Sequence, residues 1–238
     1  MSNFEHETAI RDIKYFGFGE KRPMDEDKHL RMLRPLRDTC MECTMCRLGR
    51  QEHIHNGKKL EQSHVFSNMN PSRYMVVGQN PGFNECEKGE PFVGDAGDNF
   101  NLEVEKNGLT RDKFYITNAL KCHTPENRKP ESDELTACEP YLKMELKLLR
   151  PLIVVALGAS AFEVLCPGKK LSDCLGKITH SPFDVKVYAV YHPSPRNMVD
   201  PTRKSRFEKD IMMLCALIKK IEANAVDKEE VTVDQRGA

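Results

Sequence analysis

Four short apolar runs set the fold of this chain: Tyr74-Met75-Val76-Val77, Phe114-Tyr115-Ile116-Thr117, Leu152 to Leu157 and Val185 to Val190. Each reads as a buried strand. Between and after them lie helical signals. Residues 95–107 close at Gly108, where a glycine just past a helix end is expected. Leu135, Leu142, Leu146 and Leu149 mark a helix over 131–149, with Ser132 as its N-cap. Gly158-Ala159-Ser160-Ala161 opens a third helix, and Phe207, Ile211, Leu214, Ile218 and Ile221 line one face of a fourth, from Pro201 to Ala223. Strand and helix alternating four times predict a four-stranded parallel sheet inside a three-layer α/β/α sandwich. Residues 40–223 are expected to form this domain. Residues 1–39 read as an N-terminal extension, with a short helix over His29 to Leu36 that Pro35 interrupts, and 224–238 read as a polar tail without structure.

Parallel strands share a carboxyl-terminal edge, where open α/β sheets hold their ligands. Three of the four runs end there on polar residues: Gln79 and Asn80, then Asn118, then His192. The first run leads into Gly78 to Gly97, GQNPGFNECEKGEPFVGDAG. Five glycines with Pro81 and Pro91 read as a rigid loop that lets a ligand or another backbone approach closely. Amides and a histidine at one edge can hold a neutral polar ring, orient a water molecule and stabilise an anionic leaving group. None of them is an obvious covalent nucleophile. Singly, each also has a plain structural reading: a tight turn for Asn80, a helix cap for Asn118, a strand end for His192, the core for Phe92. No Walker lysine loop and no G-x-G-x-x-G are present, so nucleoside triphosphates and dinucleotides are not expected ligands.

Cysteine usage is the second constraint. The chain has nine cysteines, and its first residues lack the apolar segment of a secretory signal. That combination argues for a metal or cluster site and against a disulfide framework. Cys40, Cys43 and Cys46 follow one another at x2 spacing, and Cys122 and Cys138 can complete a site. Four of the five would close it, and spacing alone does not separate structural zinc from a [4Fe–4S] cluster. His53, His55 and His64 fall in a polar stretch that reads as a solvated loop. A formal net charge of zero gives no support to a strongly basic nucleic-acid binder, although local patches suffice for phosphate contacts. No apolar run approaches the roughly 20 residues that cross a bilayer, so no membrane association is expected.

Several motifs, in order, resemble those of the uracil-DNA glycosylase superfamily, and most of all its iron–sulfur family 4. They are Cys43-Thr44-Met45-Cys46-Arg47-Leu48; Gly78-x-x-Pro81-Gly82 with Gly89-x-Pro91-Phe92-Val93-Gly94-x-Ala96-Gly97; Ile116-Thr117-Asn118 with Lys121-Cys122; Cys138; and His192-Pro193-Ser194. The resemblance runs from about Cys43 to the last helix. It implies a [4Fe–4S] cluster on Cys43, Cys46, Cys122 and Cys138, with Cys40 a bystander. It also implies a monomer that removes uracil from DNA without strand cleavage, in the cytoplasm, or at the nucleoid of a prokaryote. The chain departs from family 4 in two places: Gln79 stands where that family usually has Glu, and Cys86 where it has an acidic residue. Gly78-Gln79-Asn80-Pro81-Gly82 and His192-Pro193-Ser194-Pro195-Arg196-Asn197 are instead similar to loops of the mismatch-specific and single-strand-selective uracil glycosylases. His123 to Arg128 lacks the basic loop of the cross-linking relative, so covalent capture of DNA is not expected.

The resemblance implies a role for each residue. Breaking an N-glycosidic bond builds positive charge on the sugar and negative charge on the departing pyrimidine. Asn80, with Gln79 beside it, would hold the attacking water through a side-chain carbonyl, and an Asp at 80 would keep or raise activity as a better base. His192 would donate to the pyrimidine O2. Asn118 would accept from N3–H and donate to O4, a pattern that cytosine reverses. Phe92 would stack on a base flipped out of single- or double-stranded DNA. Gly82 and Phe83 would lie near C5, with Phe83, Asn84 or Glu85 crowding out thymine. Ser194 and Arg196 would contact phosphate or fill the space left in the duplex. Two other readings stay open: a glycosylase for a hydroxymethylated, oxidised or glucosylated pyrimidine, and a non-catalytic iron–sulfur protein that binds DNA.

Overall fold

The computed structural model describes residues 25–55 and 57–234. A small ribbon, β1 (Ile54–His55) with β2 (Lys58–Lys59), precedes the main sheet. The four apolar runs become β3 (Tyr74–Gly78), β4 (Tyr115–Asn118), β5 (Ile153–Leu157) and β7 (Lys186–Val190), all mutually parallel where they pair. The sheet is nevertheless five-stranded and mixed, in the order β4-β3-β5-β7-β6, because β6 (Ile178–His180) pairs antiparallel with β7. The expected four-stranded parallel sheet is corrected on this point. Three residues reading Ile-Thr-His are too short to show as an apolar run. The β6–β7 turn depends on Asp184 at φ 57.

Strand side chains alternate between two cores, which gives the three layers. Met75, Val77, Val154 and Ala156 point to one side and meet α1 (Glu26–Met41), α4 (Ser132–Leu149) and α5 (Ala159–Leu165). Tyr74, Val76, Ile153, Val155 and Leu157 point to the other and meet α3 (Asp95–Lys106) and α8 (Pro201–Asp234). Short helices α2 (Phe83–Lys88), α6 (Leu171–Cys174) and α7 (Pro195–Met198) sit in the connections. The stretch expected as a rigid loop after β3 thus contains α2.

Several helix limits differ from the sequence reading. Pro35 does not end the first helix. A proline costs the helix one backbone bond, but Leu33 and Cys40 on either side of it are buried in the same core as Leu142 and Leu146 of α4. This helix runs through the expected boundary at residues 39 and 40. Glu131, not Ser132, is the N-cap of α4, and its N–H donates to Glu134 Oε2 at 2.8 Å. The last helix continues past Ala223 to Asp234 instead of giving way to an unstructured tail. Residues 1–24 of the expected extension and 235–238 lie outside the described residues. Among the described residues no helix is long and apolar enough to cross a membrane.

The expected solvated loop also folds inward. His53 is buried and donates from Nε2 to Leu48 O at 2.6 Å, and His64 is buried with Nε2 3.0 Å from Cys43 O. The segment around Val65 to Asn68 lies along the outer edge of β4. Val65 N–H donates to Lys121 O at 2.8 Å, Asn68 N–H to Ile116 O at 3.0 Å, and Ile116 N–H to Asn68 Oδ1 at 2.9 Å.

Candidate active site

β3 and β4 end in register, with Gly78 opposite Asn118. The pairing continues beyond them: Ala119 N–H donates to Gly78 O and Leu120 N–H to Gln79 O, each at 2.9 Å. Gly78 is required by space. A Cβ there would lie 2.4 Å from Asn118 Oδ1 and 2.5 Å from Phe92 Cζ. The Asn118 amide and the Phe92 ring therefore close together over the end of β3. Phe92 is held in a left-handed conformation, φ 54, which costs a non-glycine residue about 1–2 kcal/mol. Its carbonyl accepts from Arg111 Nη1 at 2.9 Å, and that of Pro91 from Arg111 Nη2 at 2.6 Å. Gly97 lets α3 press against this turn, since a Cβ there would fall 1.9 Å from Phe92 O. The His192 ring lies 6.1 Å from that of Phe92, tilted by 41°. Gly158, at the end of β5, leaves room for it: a Cβ there would be 2.8 Å from His192 Cβ. Asn118, Phe92 and His192 thus form one contiguous patch on the carboxyl edge of the sheet.

The two amides beside this patch have a defined polarity. Asn80 Nδ2 donates to Pro81 O at 3.0 Å and to Thr124 Oγ1 at 3.3 Å, and Gln79 Nε2 donates to Asn80 Oδ1 at 2.7 Å. A backbone carbonyl only accepts, so the nitrogen of Asn80 must face Pro81 and its oxygen must face Gln79. Pro81 O also receives His123 Nδ1–H at 3.0 Å.

The structure does not gather all the residues singled out from the sequence. Phe83 packs on a small cluster of Leu60, Val65 and Cys86, under the Lys58 ammonium 5.3 Å from its ring. That cluster contains neither Asn118 nor Phe92. Glu85 is occupied as a loop clamp: its carboxylate accepts from the N–H groups of Gly82 at 3.1 Å, Val93 at 3.1 Å and Gly94 at 3.0 Å. Ser194 caps α7 with its carbonyl, and Arg196 is exposed on that helix. The loop is fixed from both sides, by Asn197 Nδ2 on His192 O at 2.8 Å and Asn99 Nδ2 on Pro193 O at 3.0 Å. Glu85 as a clamp, Arg111, Thr124 and Asn99 were not assigned these roles from the sequence. Glu85 carries the only signal, a carboxylate three residues into α2, and it is hidden because Gly82 offers no side chain to complete the usual capping pair.

Burial pushes the His192 imidazole down to about 4, so the ring is neutral at pH 7. The folded pKa lies below the ordinary 6.5 or so, so this group's stability contribution is complete above that value and is lost as pH falls toward the folded one. An NMR titration of the free protein is expected to show no His192 inflection near 6.5. An inflection there would mean that the ring is solvated.

On the other side of β4, Cys40, Cys43, Cys46, Cys122 and Cys138 line a single cavity, with His64 and Lys121 in its wall. Burial raises the thiols of Cys40, Cys122 and Cys138, the last to about 11. Among the described residues no three Cys, His, Asp or Glu side chains converge closely enough to hold one ion. Lys121 is itself buried. Its ammonium donates to Glu145 Oε2 at 2.6 Å and to Asn118 O at 2.9 Å, and Glu145 also accepts from Tyr115 O–H at 2.8 Å. Removing one partner of such a buried pair costs about 3–5 kcal/mol. The pair ties the backbone of Asn118 to the wall of the cysteine cavity.

Comparison with known proteins identifies the family of the chain. A family model described as the uracil DNA glycosylase superfamily matches residues 65–214. The chain is 33% identical over 171 residues to a type-4 uracil-DNA glycosylase of Sulfurisphaera tokodaii, a match covering 67% of this chain and 73% of that protein. It is 36% identical over 155 residues to the type-4 enzyme of Thermotoga maritima, covering 63% and 79%. It is 35% identical over 147 residues to that of Pyrobaculum aerophilum, covering 58% and 74%.

Proposed function

Because the chain belongs to the uracil-DNA glycosylase superfamily, we propose that it hydrolyses the N-glycosidic bond of uracil in DNA, releasing the free base and leaving the strand intact. The observation that carries this reading is the contiguous patch of Asn118, Phe92 and His192, with Gln79 and Asn80 beside it. Asn80 Oδ1 holds the attacking water. An amide is a weak base, so it orients the water and removes little proton charge before the bond has largely broken. His192, neutral, donates to O2 as negative charge gathers there. Hydrogen bonds of this kind are worth roughly 3–4 kcal/mol in comparable sites. Asn118 reads N3–H and O4, and Phe92 stacks on the flipped ring. Arg196 meets phosphate beside the gap.

Cys43, Cys46, Cys122 and Cys138 fit a [4Fe–4S] cluster. One zinc ion would draw its sulfurs to within about 4 Å of each other, whereas a cubane gives each thiolate its own iron and accepts a wider ring. When bound, the cluster supplies a covalent tie between the segment after α1, the loop after β4, and α4. The protein acts as a monomer on DNA, in the cytoplasm or at the nucleoid.

One observation favours a wider substrate range. Phe83 packs on Leu60, Val65 and Cys86, and the Glu85 carboxylate is taken up by the N–H groups of Gly82, Val93 and Gly94, which leaves both less able to reject a C5 substituent. The test is release of free base from matched oligonucleotides carrying uracil, hydroxymethyluracil, thymine or a glucosylated pyrimidine. Uracil release is expected, from single strands at least as fast as from duplex, because unpairing costs a few kcal/mol. Release of a C5-substituted base without uracil would replace this reading by the modified-pyrimidine glycosylase. DNA binding with no base released would leave the non-catalytic reading.

A further inference from the structure

The segment Lys121 to Thr124 carries the third of the four proposed cluster ligands, and three of its side chains reach the catalytic edge. Lys121 Nζ holds Asn118 O, His123 Nδ1 holds Pro81 O, and Thr124 Oγ1 meets Asn80 Nδ2 at 3.3 Å. The last contact decides a polarity. Thr124 is fully buried, and its hydroxyl donates to Arg128 O at 2.7 Å. A hydroxyl has one proton. Once that proton is committed to a carbonyl, Thr124 can only accept from Asn80. Two acceptors, Pro81 O and Thr124 Oγ1, then face the nitrogen of Asn80 and turn its oxygen outward, toward Gln79.

We propose that Thr124 is a positioning residue for Asn80, fixing the side-chain amide so that its carbonyl faces the attacking water. The proposal deepens the role given to Asn80 above and rests on it. Thr124 is fully buried, and its role is exerted through Asn80. It acts by removing the flipped rotamer, in which the NH2 group would replace the water's acceptor and two carbonyl-type oxygens would face each other at Pro81. The loop that supplies it is shaped for the purpose: Glu126 and Asn127 are consecutive non-glycine residues at φ 51 and 53, a turn that brings Arg128 O back to the Thr124 hydroxyl.

Single-turnover kinetics on the intact, iron-loaded protein test this. Thr124→Val keeps the shape and removes the acceptor. It is expected to slow base release about five- to tenfold, the worth of one hydrogen bond, with DNA affinity and iron content unchanged. Thr124→Ser restores the acceptor and is expected to return the rate to within about twofold of wild type. Thr124→Ala repeats the deletion should valine disturb folding. In an Asn80→Ala background, Thr124→Val is expected to cost nothing further, since there is no amide left to orient. Wild-type rates for Thr124→Val, a serine variant as slow as the valine one, or a full additional loss in the double variant would each overturn the proposal. A wild-type rate for Asn80→Ala alone would overturn the reading of Asn80 as well.

Discussion

Asn80→Ala is expected to lower the single-turnover rate of uracil release by about 100-fold or more, while DNA affinity changes little. In the proposed role the side chain acts on the water and not on the strand, so its loss is expected in the chemical step. The structure also changes the expectation for Asn80→Asp. From the sequence, a carboxylate looks like a better base. In the structure, one of its oxygens would face Pro81 O and the Thr124 hydroxyl oxygen, both acceptors toward it. Asn80→Asp is therefore expected to be slower than wild type at neutral pH. Unchanged turnover in the alanine variant, measured by quenched-flow release of base, would remove Asn80 from the mechanism.

Replacing any one of Cys43, Cys46, Cys122 and Cys138 by serine is expected to abolish the brown colour, take bound iron from about four per chain to near zero, and yield largely insoluble protein. Cys40→Ser is expected to keep both colour and iron. The contrast is informative because all five thiols line the same cavity and Cys40 is fully buried there. Loss of colour in Cys40→Ser with retention in Cys43→Ser would shift the ligand set by one residue. Stoichiometric zinc in a colourless wild-type protein would sink the cluster.

The strands and the polar residues at their ends were legible in the sequence because one physical rule governs both. A strand covered on two faces must be apolar throughout, and the polarity change marks where it leaves the core. Gly78, Gly158 and the left-handed Phe92 were less legible. Their meaning lies in which side chain from another strand occupies the space that a Cβ would fill. The packing of Phe83 on Leu60, Val65 and Cys86 was not legible, because sequence adjacency to Gly82 says nothing of the direction in which α2 leaves the loop. His53 and His64 read as solvated because their partners, the carbonyls of Leu48 and Cys43, are backbone groups that carry no sequence signal. Thr124 escaped for a similar reason, since half of its role depends on Arg128 O.

The covering of β4 by Val65 to Asn68 has a consequence for behaviour at high concentration. An open sheet offers unpaired N–H and C=O groups at its two outer strands, a template on which a second copy can add a strand and begin to aggregate. Here one outer strand has its N–H and C=O groups at Ile116 and the Lys121 carbonyl beyond it engaged by the covering segment. The opposite outer strand, β6, is only three residues long. Neither margin offers a long free ladder: one is capped by the covering segment, and the other is limited to three residues.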